Sequence, residues 1–486
     1  MNGEGDTLVN TGVAWPIDST EAWARVLRMQ TKLHRWAVAD PGRRFDDVFN
    51  LVYDPAFLAA AWDRVRTNTG ARTAGVDQIT PRSITSARAV SMLADLRETV
   101  KAGLFVPDRV RQKSIPKTGG KVRWLGIPTM ADRIVQASLK LVLEPIFEAD
   151  FQPSSYGFRP RRRAQDAVAE IHYLGSTIRD YGWVFEADIT ACFDEINHQA
   201  LLDRVRRRIS DKKVLGLVKA FLKAGVLTED GLNRDTRTGT PQGGILSPLL
   251  ANIALSVLDE HFHAKWEALG PEWRRIKHRR AGGPVMKLVR YADDFVIMVH
   301  GQRGDAEALW GEVAAVLQPM GLRLSEAKTR ITHIDDGFDF LGWHIQRRRK
   351  KGHQAGKRYV YTYPSKKSLA SIIDQVRQLT RRASHRTLAD LLRRLNPAIR
   401  GWCAYFCHGV SKRTFSYLDH FAFWRIVGWL KKRHPGIGIR TLVRRHLPDW
   451  RIRAGGIEFF RAWQVPVTRY RYRGTRIPTP WASATA

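Results

Sequence analysis

A pair of adjacent carboxylates between two apolar runs limits the possible folds of this chain more than any other feature. Asp293 and Asp294 lie between the apolar runs 288–289 and 296–299. This layout predicts two strands joined by a tight turn. Neighbouring carboxylates repel each other and are poor strand formers, so a cation beside them would relieve that conflict. An ordinary solvated turn is the alternative, because Asp is common in turns.

A third carboxylate ends another apolar run, about a hundred residues earlier in the chain. Segment 183–189 predicts a buried strand with Asp188 near its C-terminal end. Phe193 follows, and it either walls a sugar pocket or packs in the core. Helical patterns come next, from about 198, over 245–261 and over 305–318, and short strands are predicted over 322–324 and 330–334. The order strand, helix, hairpin, helix, strand predicts a ferredoxin-like, split βαβ sheet with all three carboxylates at one edge.

Three carboxylates at one edge of a sheet can hold two divalent ions about 3.5–4 Å apart. Carboxylate oxygens suit Mg²⁺, which keeps waters and phosphate oxygens as its other ligands. Such ions activate an attacking hydroxyl and stabilise the leaving oxygen. A basic hairpin predicted over 109–123 would neutralise a leaving pyrophosphate, although a solvated hairpin has the same pattern. The predicted chemistry is therefore nucleotidyl transfer.

Positive charge is concentrated in the last third of the chain. The 486 residues carry a net charge of +33, and residues 341–486 alone hold 32 Lys and Arg against 5 Asp and Glu. Charge of this size favours a polyanionic partner, either nucleic acid or an anionic membrane surface. No apolar run reaches about 18 residues and no signal-peptide pattern is present, so we expect no membrane partner. Three cysteines fit a reducing cytoplasm.

Helical patterns dominate after residue 345. They cover 368–382, 387–395, 398–408 and 415–432, with aromatic faces that we expect to form a core. Segment 468–474 alternates Arg and Tyr, which predicts either an RNA-contacting strand or an edge strand.

Five motifs, in chain order, resemble those of the group II intron-encoded reverse transcriptases with maturase activity. The motifs are Ile115-Pro116-Lys117 to Arg123-Trp124-Leu125-Gly126-Ile127-Pro128, Tyr156-Gly157-Phe158-Arg159-Pro160, Thr240-Pro241-Gln242-Gly243-Gly244-Ile245-Leu246-Ser247-Pro248, Tyr291-Ala292-Asp293-Asp294 and Asn396-Pro397-Ala398-Ile399-Arg400-Gly401-Trp402.

The resemblance implies an α+β, right-hand polymerase fold with fingers, a ferredoxin-like palm and an α-helical thumb. In this chain the expected divisions are an N-terminal extension (1–80), fingers (81–180), a palm (181–345), a thumb or maturase X domain (346–435) and a basic RNA- or DNA-binding segment (436–486). The chain has no cysteine after Cys407, so we expect no Cys/His-rich endonuclease domain.

The resemblance also assigns roles to single residues. It implies that Asp188, Asp293 and Asp294 are catalytic and bind two Mg²⁺ ions, with the backbone carbonyl of Ile189 assisting. The implied nucleotide-binding residues are Lys117 and Arg123 at the triphosphate, Arg111 over the base, Phe193 as the wall that excludes ribonucleotides, Gln242 at the incoming nucleotide, and Lys328, which aligns with a late palm lysine.

The function implied is that of an RNA-directed DNA polymerase that also binds its intron RNA as a splicing maturase for intron mobility. The implied partners are group II intron RNA or another RNA template, a DNA primer or target, and deoxynucleoside triphosphates, in a bacterial cytoplasm at the nucleoid. Alternatives are a non-catalytic maturase, a relative recruited to antiviral defence or spacer acquisition, and an RNA-directed RNA polymerase. A nucleotide cyclase would not need so basic a C-terminal third.

Overall fold

The computed structural model describes residues 18–116, 122–236, 238–240, 243–350, 356–381, 387–474 and 477–482. Helices make up most of the regular structure. They are α1 (Ser19–Ala39), α2 (Phe49–Val52), α3 (Pro55–Thr67), α4 (Ser86–Lys101), α5 (Met130–Glu148), α6 (Ala164–Leu174), α7 (Cys192–Glu195), α8 (His198–Arg206), α9 (Lys212–Lys223), α10 (Ser247–Ala268), α11 (Glu272–Arg280), α12 (Arg303–Glu307), α13 (Leu309–Leu317), α14 (Lys366–Arg381), α15 (Leu388–Phe406), α16 (Lys412–Arg433) and α17 (Ile439–His446).

The strands form small sheets between these helices. They are β1 (Val110–Pro116), β2 (Val122–Ile127), β3 (Trp183–Ala187), β4 (Val226–Leu227), β5 (Asn233–Arg234), β6 (Val285–Tyr291), β7 (Asp294–His300), β8 (Arg330–His333), β9 (Phe338–Phe340), β10 (Trp343–Arg349), β11 (Arg358–Pro364), β12 (Arg453–Ala454) and β13 (Ile457–Glu458).

The central sheet has the strand order β6-β7-β3-β8, and every neighbouring pair is antiparallel. Both faces of this sheet are covered. Phe185 and Ile297 belong to one core cluster, whereas Val184 and Val296 belong to a second cluster on the opposite face. Successive side chains of a strand point to opposite faces, so a sheet buried on both sides needs nearly continuous apolar strands. Burial of the central sheet on both faces therefore explains the apolar runs of the sequence.

A second sheet has the order β2-β1-β4-β5. β1 and β2 form the predicted antiparallel hairpin, with Arg111 opposite Ile127 and Pro116 opposite Val122. The tip of the hairpin, residues 117–121, lies outside the described residues. Helix α5 follows directly and packs against α1 and α3, so the N-terminal helices share the main core with the central sheet.

Two helix predictions need correction. The two helices predicted over 387–395 and 398–408 are one continuous helix, α15, with Pro397 inside it. Leu395 and Ile399 on either side of the proline are fully buried, and their packing offsets the backbone hydrogen bond that proline cannot donate. The helix predicted over 305–318 is instead interrupted at Ala308, between α12 and α13.

The strand predicted over 468–474 is absent from the structure, because side-chain docking determines the path of this segment. The hydroxyl of Tyr470 donates to Asp166 at 2.9 Å, and the guanidinium of Arg473 pairs with the same carboxylate at 2.7 Å. The ring of Tyr472 stacks on Tyr173 with centroids 4.8 Å apart. The segment therefore follows the surface of α6 and does not join a sheet.

Residues near the two ends of the described chain meet. The indole N–H of Trp481 donates to the side-chain oxygen of Gln30 in α1 at 3.1 Å, and its ring lies 5.8 Å from that of His34. Trp481 is only 5% exposed, so the C-terminal segment completes the packing of the first helix. Within the described ranges, none of the helices combines the length and hydropathy needed to cross a lipid bilayer.

Candidate active site

The turn between β6 and β7 carries the adjacent carboxylates. Tyr291 pairs with Asp294 across the hairpin, so the predicted tight turn is a two-residue loop of Ala292 and Asp293. Ala292 has a φ of 59°, in the left-handed region that such tight loops require. The local sequence therefore projects Asp293 from the tip and begins β7 with Asp294.

The central sheet brings Asp188 to the same end. Ala187 pairs with Phe295, so the next residue, Asp188, follows at the edge beside Asp294. The backbone carbonyl of Asp188 accepts a hydrogen bond from the Ser325 amide at 2.8 Å. The ammonium of Lys328 contacts the Asp188 carboxylate, so a cation already lies on this group.

Burial and neighbouring charges affect the acidity of Asp293 and Asp294. Loss of water raises the pKa of Asp293, and Asp188 raises it further. Part of Asp294 is accessible to solvent, but the protein around its carboxylate displaces water and raises its pKa to about 6. The negative charges of Asp293 and Asp188 contribute to the same rise. Arg123 acts in the opposite direction on Asp293, and Lys328 and Lys367 do so on Asp294. The edge therefore favours the approach of cations.

This donor set is compatible with a divalent ion, although its side chains do not form a closed cage. In the described part of the chain, no three His, Cys, Asp or Glu side chains are grouped so that they could hold a metal. The three carboxylates nevertheless share one edge, the charges of Asp188 and Asp293 raise the pKa of Asp294, and the ammonium of Lys328 pairs with Asp188. A hard cation with oxygen ligands would relieve the same repulsion.

The structure locates most of the other predicted site residues. Arg123 is exposed on β2 and is close enough to Asp293 to lower its pKa, and Arg111 lies on the paired strand with no hydrogen-bond partner for its Nε among the described residues. Ile189 is buried and bridges to Leu324, the only part of the predicted strand 322–324 that pairs within the described ranges. Lys117 and Gln242 lie outside the described residues.

Phe193 is half-buried in α7, just after the Asp188 strand. Its backbone carbonyl accepts a hydrogen bond from the Thr240 amide at 2.6 Å. This bond holds the backbone of Thr240 beside α7, close to the end of β3.

A buried ionic network behind the turn escaped the sequence analysis. Arg290 is 0% exposed and pairs with Asp259 of α10, which is also 0% exposed. Arg290 also donates to Asn252 at 3.0 Å, to the Ser155 hydroxyl at 2.8 Å and to the Ala292 carbonyl at 2.9 Å. All five N–H groups of the guanidinium are thereby used. The network fixes the loop that carries Asp293.

The segment 154–157 completes the support of the turn. Its backbone bridges to β6, with the Tyr156 amide donating to the Arg290 carbonyl at 2.8 Å. A Cβ on Gly157 would overlap the Ala292 nitrogen and lie 2.9 Å from the Tyr291 carbonyl carbon. Asn252 holds the Gly157 carbonyl at 2.8 Å. The one sequence signal for this support is a charged residue, Arg290, directly after the apolar pair Leu288-Val289.

Comparisons with known proteins agree with this site. Residues 115–345 match the family model described as reverse transcriptase (RNA-dependent DNA polymerase), and residues 369–447 match the group II intron, maturase-specific domain. Protein YkfC of Escherichia coli is 37% identical over 363 residues, which cover 71% of this chain and 93% of that protein.

Two intron-associated proteins are also similar. The group II intron-encoded protein LtrA of Lactococcus lactis is 30% identical over 476 residues, covering 82% of this chain and 77% of LtrA. Nuclear intron maturase 1 of Arabidopsis thaliana is 25% identical over 299 residues, covering 46% of this chain and 41% of that protein. Both domain matches, together with LtrA, 77% of which is covered, lead to one assignment: the chain belongs to the group II intron-encoded reverse transcriptases with a maturase domain.

Proposed function

We propose that this chain copies RNA into DNA at the edge formed by Asp188, Asp293 and Asp294. The observation that carries the proposal is the register of the central sheet, in which Ala187 pairs with Phe295 and Tyr291 with Asp294. Carboxylates from distant parts of the sequence thereby share one edge. RNA-dependent DNA synthesis is also the activity of the family whose model matches residues 115–345.

In this proposal the three carboxylates, with the Ile189 carbonyl, would hold two Mg²⁺ ions. Bound there, the ions would activate the primer hydroxyl and stabilise the leaving oxygen in an in-line displacement. The chain itself would orient the ligands, through Arg290 behind the turn and through the Ser325 amide on the Asp188 backbone. The ammonium of Lys328 lies on Asp188 and would turn to the nucleotide phosphates, which offer it more negative charge.

The remaining predicted residues would bind the nucleotide. Lys117 and Arg123 would hold the triphosphate, Arg111 would lie over the base, and Gln242 would contact the incoming nucleotide. The half-buried ring of Phe193 would clash with a ribose 2′-hydroxyl and thus favour deoxynucleotides.

The chain as a whole would be a right hand. Fingers (81–180) and a ferredoxin-like palm (181–345) would form the polymerase, after an N-terminal extension (1–80). A helical thumb or X domain (346–435) and a basic segment (436–486) would hold RNA and the DNA primer. The strand order β6-β7-β3-β8 supports the palm, because it is the order of a split βαβ sheet. The excess of basic residues after 340 supports the nucleic-acid role.

Primer extension tests the proposal. Wild type and Asp293→Ala are given an annealed RNA template and DNA primer with deoxynucleoside triphosphates and Mg²⁺. Asp95→Ala is the matched control, because Asp95 is an exposed carboxylate on α4. We expect product from wild type and from the control and none from Asp293→Ala. Equal product from Asp293→Ala would overturn the assignment of the site.

The second candidate is a maturase that binds and folds its intron RNA without polymerising. The match of residues 369–447 to the maturase-specific domain favours RNA binding of this kind. Its signature is tight, salt-dependent binding of intron RNA by a wild-type chain that gives no extension product. DNA product from wild type would exclude this reading.

A further inference from the structure

A cavity of about 920 Å³ lies where α6, the β10–β11 hairpin, the loop between α15 and α16, and segment 467–472 meet. Its volume is within the range of roughly 300–1,000 Å³ that is typical of ligand-binding pockets. None of Asp188, Asp293 and Asp294 lines it, so it is separate from the carboxylate edge.

The walls are mainly apolar and rich in aromatic rings, among them Tyr173, Tyr361, Tyr472 and His408. Tyr472 stacks on Tyr173 with the ring planes 15° apart, and Tyr361 stacks on Tyr363 at 21°. A stacked pair of rings has two outer faces, which can extend the stack with another flat group. Single-stranded RNA is recognised in this way, by stacking of unpaired bases on aromatic side chains.

The charged residues that line the cavity are all cations. They are Lys350, Lys412, Arg469 and Arg471, and the lining includes no Asp or Glu. Arg469 and Arg471 are exposed and form no ion pair within the described part of the chain, whereas Arg473 pairs with Asp166. One arginine of the alternating segment thus anchors it, and two remain available for an anionic ligand.

We propose that this cavity binds one unstacked nucleotide of a single-stranded RNA, with the base among the aromatic side chains and its phosphate against Arg469 and Arg471. An apolar, aromatic interior with a basic rim suits a ligand that is flat at one end and anionic at the other. The site would be a second RNA contact, away from the polymerisation chemistry. It rests on the proposed function only in that the partner is RNA.

The test measures binding of a short, fluorescein-labelled, single-stranded RNA to the full chain, without primer, nucleotides or Mg²⁺. Val467→Glu places a carboxylate among the lining residues, and Val38→Glu is its matched control because Val38 is also exposed and does not line the cavity. Tyr361→Ala removes a ring, and Arg469→Gln removes an exposed charge with little risk to folding. Crosslinking with iodouridine-substituted RNA then identifies the contacted residues.

We expect Val467→Glu and Tyr361→Ala to weaken binding about tenfold, as for loss of a stacked base. Arg469→Gln should lower the slope of log affinity against log salt by about 0.7, the value for one phosphate contact of a single strand. Crosslinks should map to Tyr361 or Tyr472. Equal binding by Val467→Glu, Arg469→Gln and Val38→Glu, with crosslinks elsewhere, would overturn the proposal. Failure of wild type in primer extension would instead count against the proposed function and leave this result standing.

Discussion

Removal of the Asp259 carboxylate should destabilise the protein strongly, because it leaves a charged guanidinium buried without its partner. Arg290 and Asp259 are both 0% exposed, so water cannot replace the lost carboxylate. Breaking one side of a buried ion pair costs about 3–5 kcal/mol. For a folding unit of about 150–250 residues, about 1 kcal/mol lowers the unfolding midpoint by roughly 2–4 °C. Asp259→Ala should therefore unfold at least about 6 °C below wild type.

A double variant separates packing from positioning. Asp259→Leu/Arg290→Met replaces the pair by apolar groups, a change that is often neutral or stabilising at buried ion pairs. We expect its unfolding midpoint to return close to the wild-type value. Primer extension should stay low, however, because methionine cannot donate to the Ala292 carbonyl that Arg290 holds at 2.9 Å.

Two measurements decide the matter: thermal unfolding followed by circular dichroism, and primer extension at a temperature where all variants are folded. An Asp259→Ala variant that melts with wild type would refute the argument that the pair is buried and coupled. A double variant that regains both stability and extension would refute the positioning role of Arg290.

Three further predictions concern single sites. Phe193→Ala should raise the ratio of ribonucleotide to deoxynucleotide kcat/KM at least about tenfold, and an unchanged ratio would count against a sugar-excluding ring. Gly157→Ala should reduce primer extension about 100-fold, because the added methyl group displaces the Ala292 backbone. Gly216 has open space around it, so the control Gly216→Ala should extend the primer like wild type. Equal extension rates for the two variants would contradict this prediction. Burial raises the pKa of Asp132 to about 6. Between about pH 4 and pH 6 the folded chain therefore keeps a proton on Asp132 that the unfolded chain has lost. The free energy of unfolding should fall by on the order of 3 kcal/mol as pH rises through this range. Urea unfolding on either side of this range should show a smaller fall in Asp132→Asn than in wild type, because other buried carboxylates such as Asp294 contribute to the fall in both chains; equal falls would contradict the role of Asp132.

The carboxylate edge was predictable because its signals are local. Continuous apolar runs on either side of the two aspartates predict β6 and β7, and the turn chemistry predicts the tight loop between Tyr291 and Asp294. Asp188 follows from the same logic applied to β3. The order of the strands and helices then leaves few ways to assemble the sheet.

The support behind the edge was not predictable, because it depends on distant partners. Arg290 meets Asp259 across 31 residues and Ser155 across 135, and no local pattern encodes either pairing. Pro397 misled the helix prediction for a related reason, since burial of its neighbours outweighs the intrinsic cost of proline. The Arg-Tyr alternation of 468–474 is typical of a strand, and the sequence does not show that Asp166 and Tyr173 of α6 lie beneath it. Contacts with these two residues determine its path.

The contact between Trp481 and Gln30 has a consequence for how the protein is made. The two residues are 451 positions apart, so at about 5–20 residues per second the ribosome needs roughly 20–90 s to deliver the tryptophan after the glutamine. During that interval the first helix lacks the side chain that later covers it. The packing of α1 is therefore complete only after almost the whole described chain has been synthesised. A chain cut short before residue 481 would leave the surface of α1 around Gln30 exposed to chaperones and proteases.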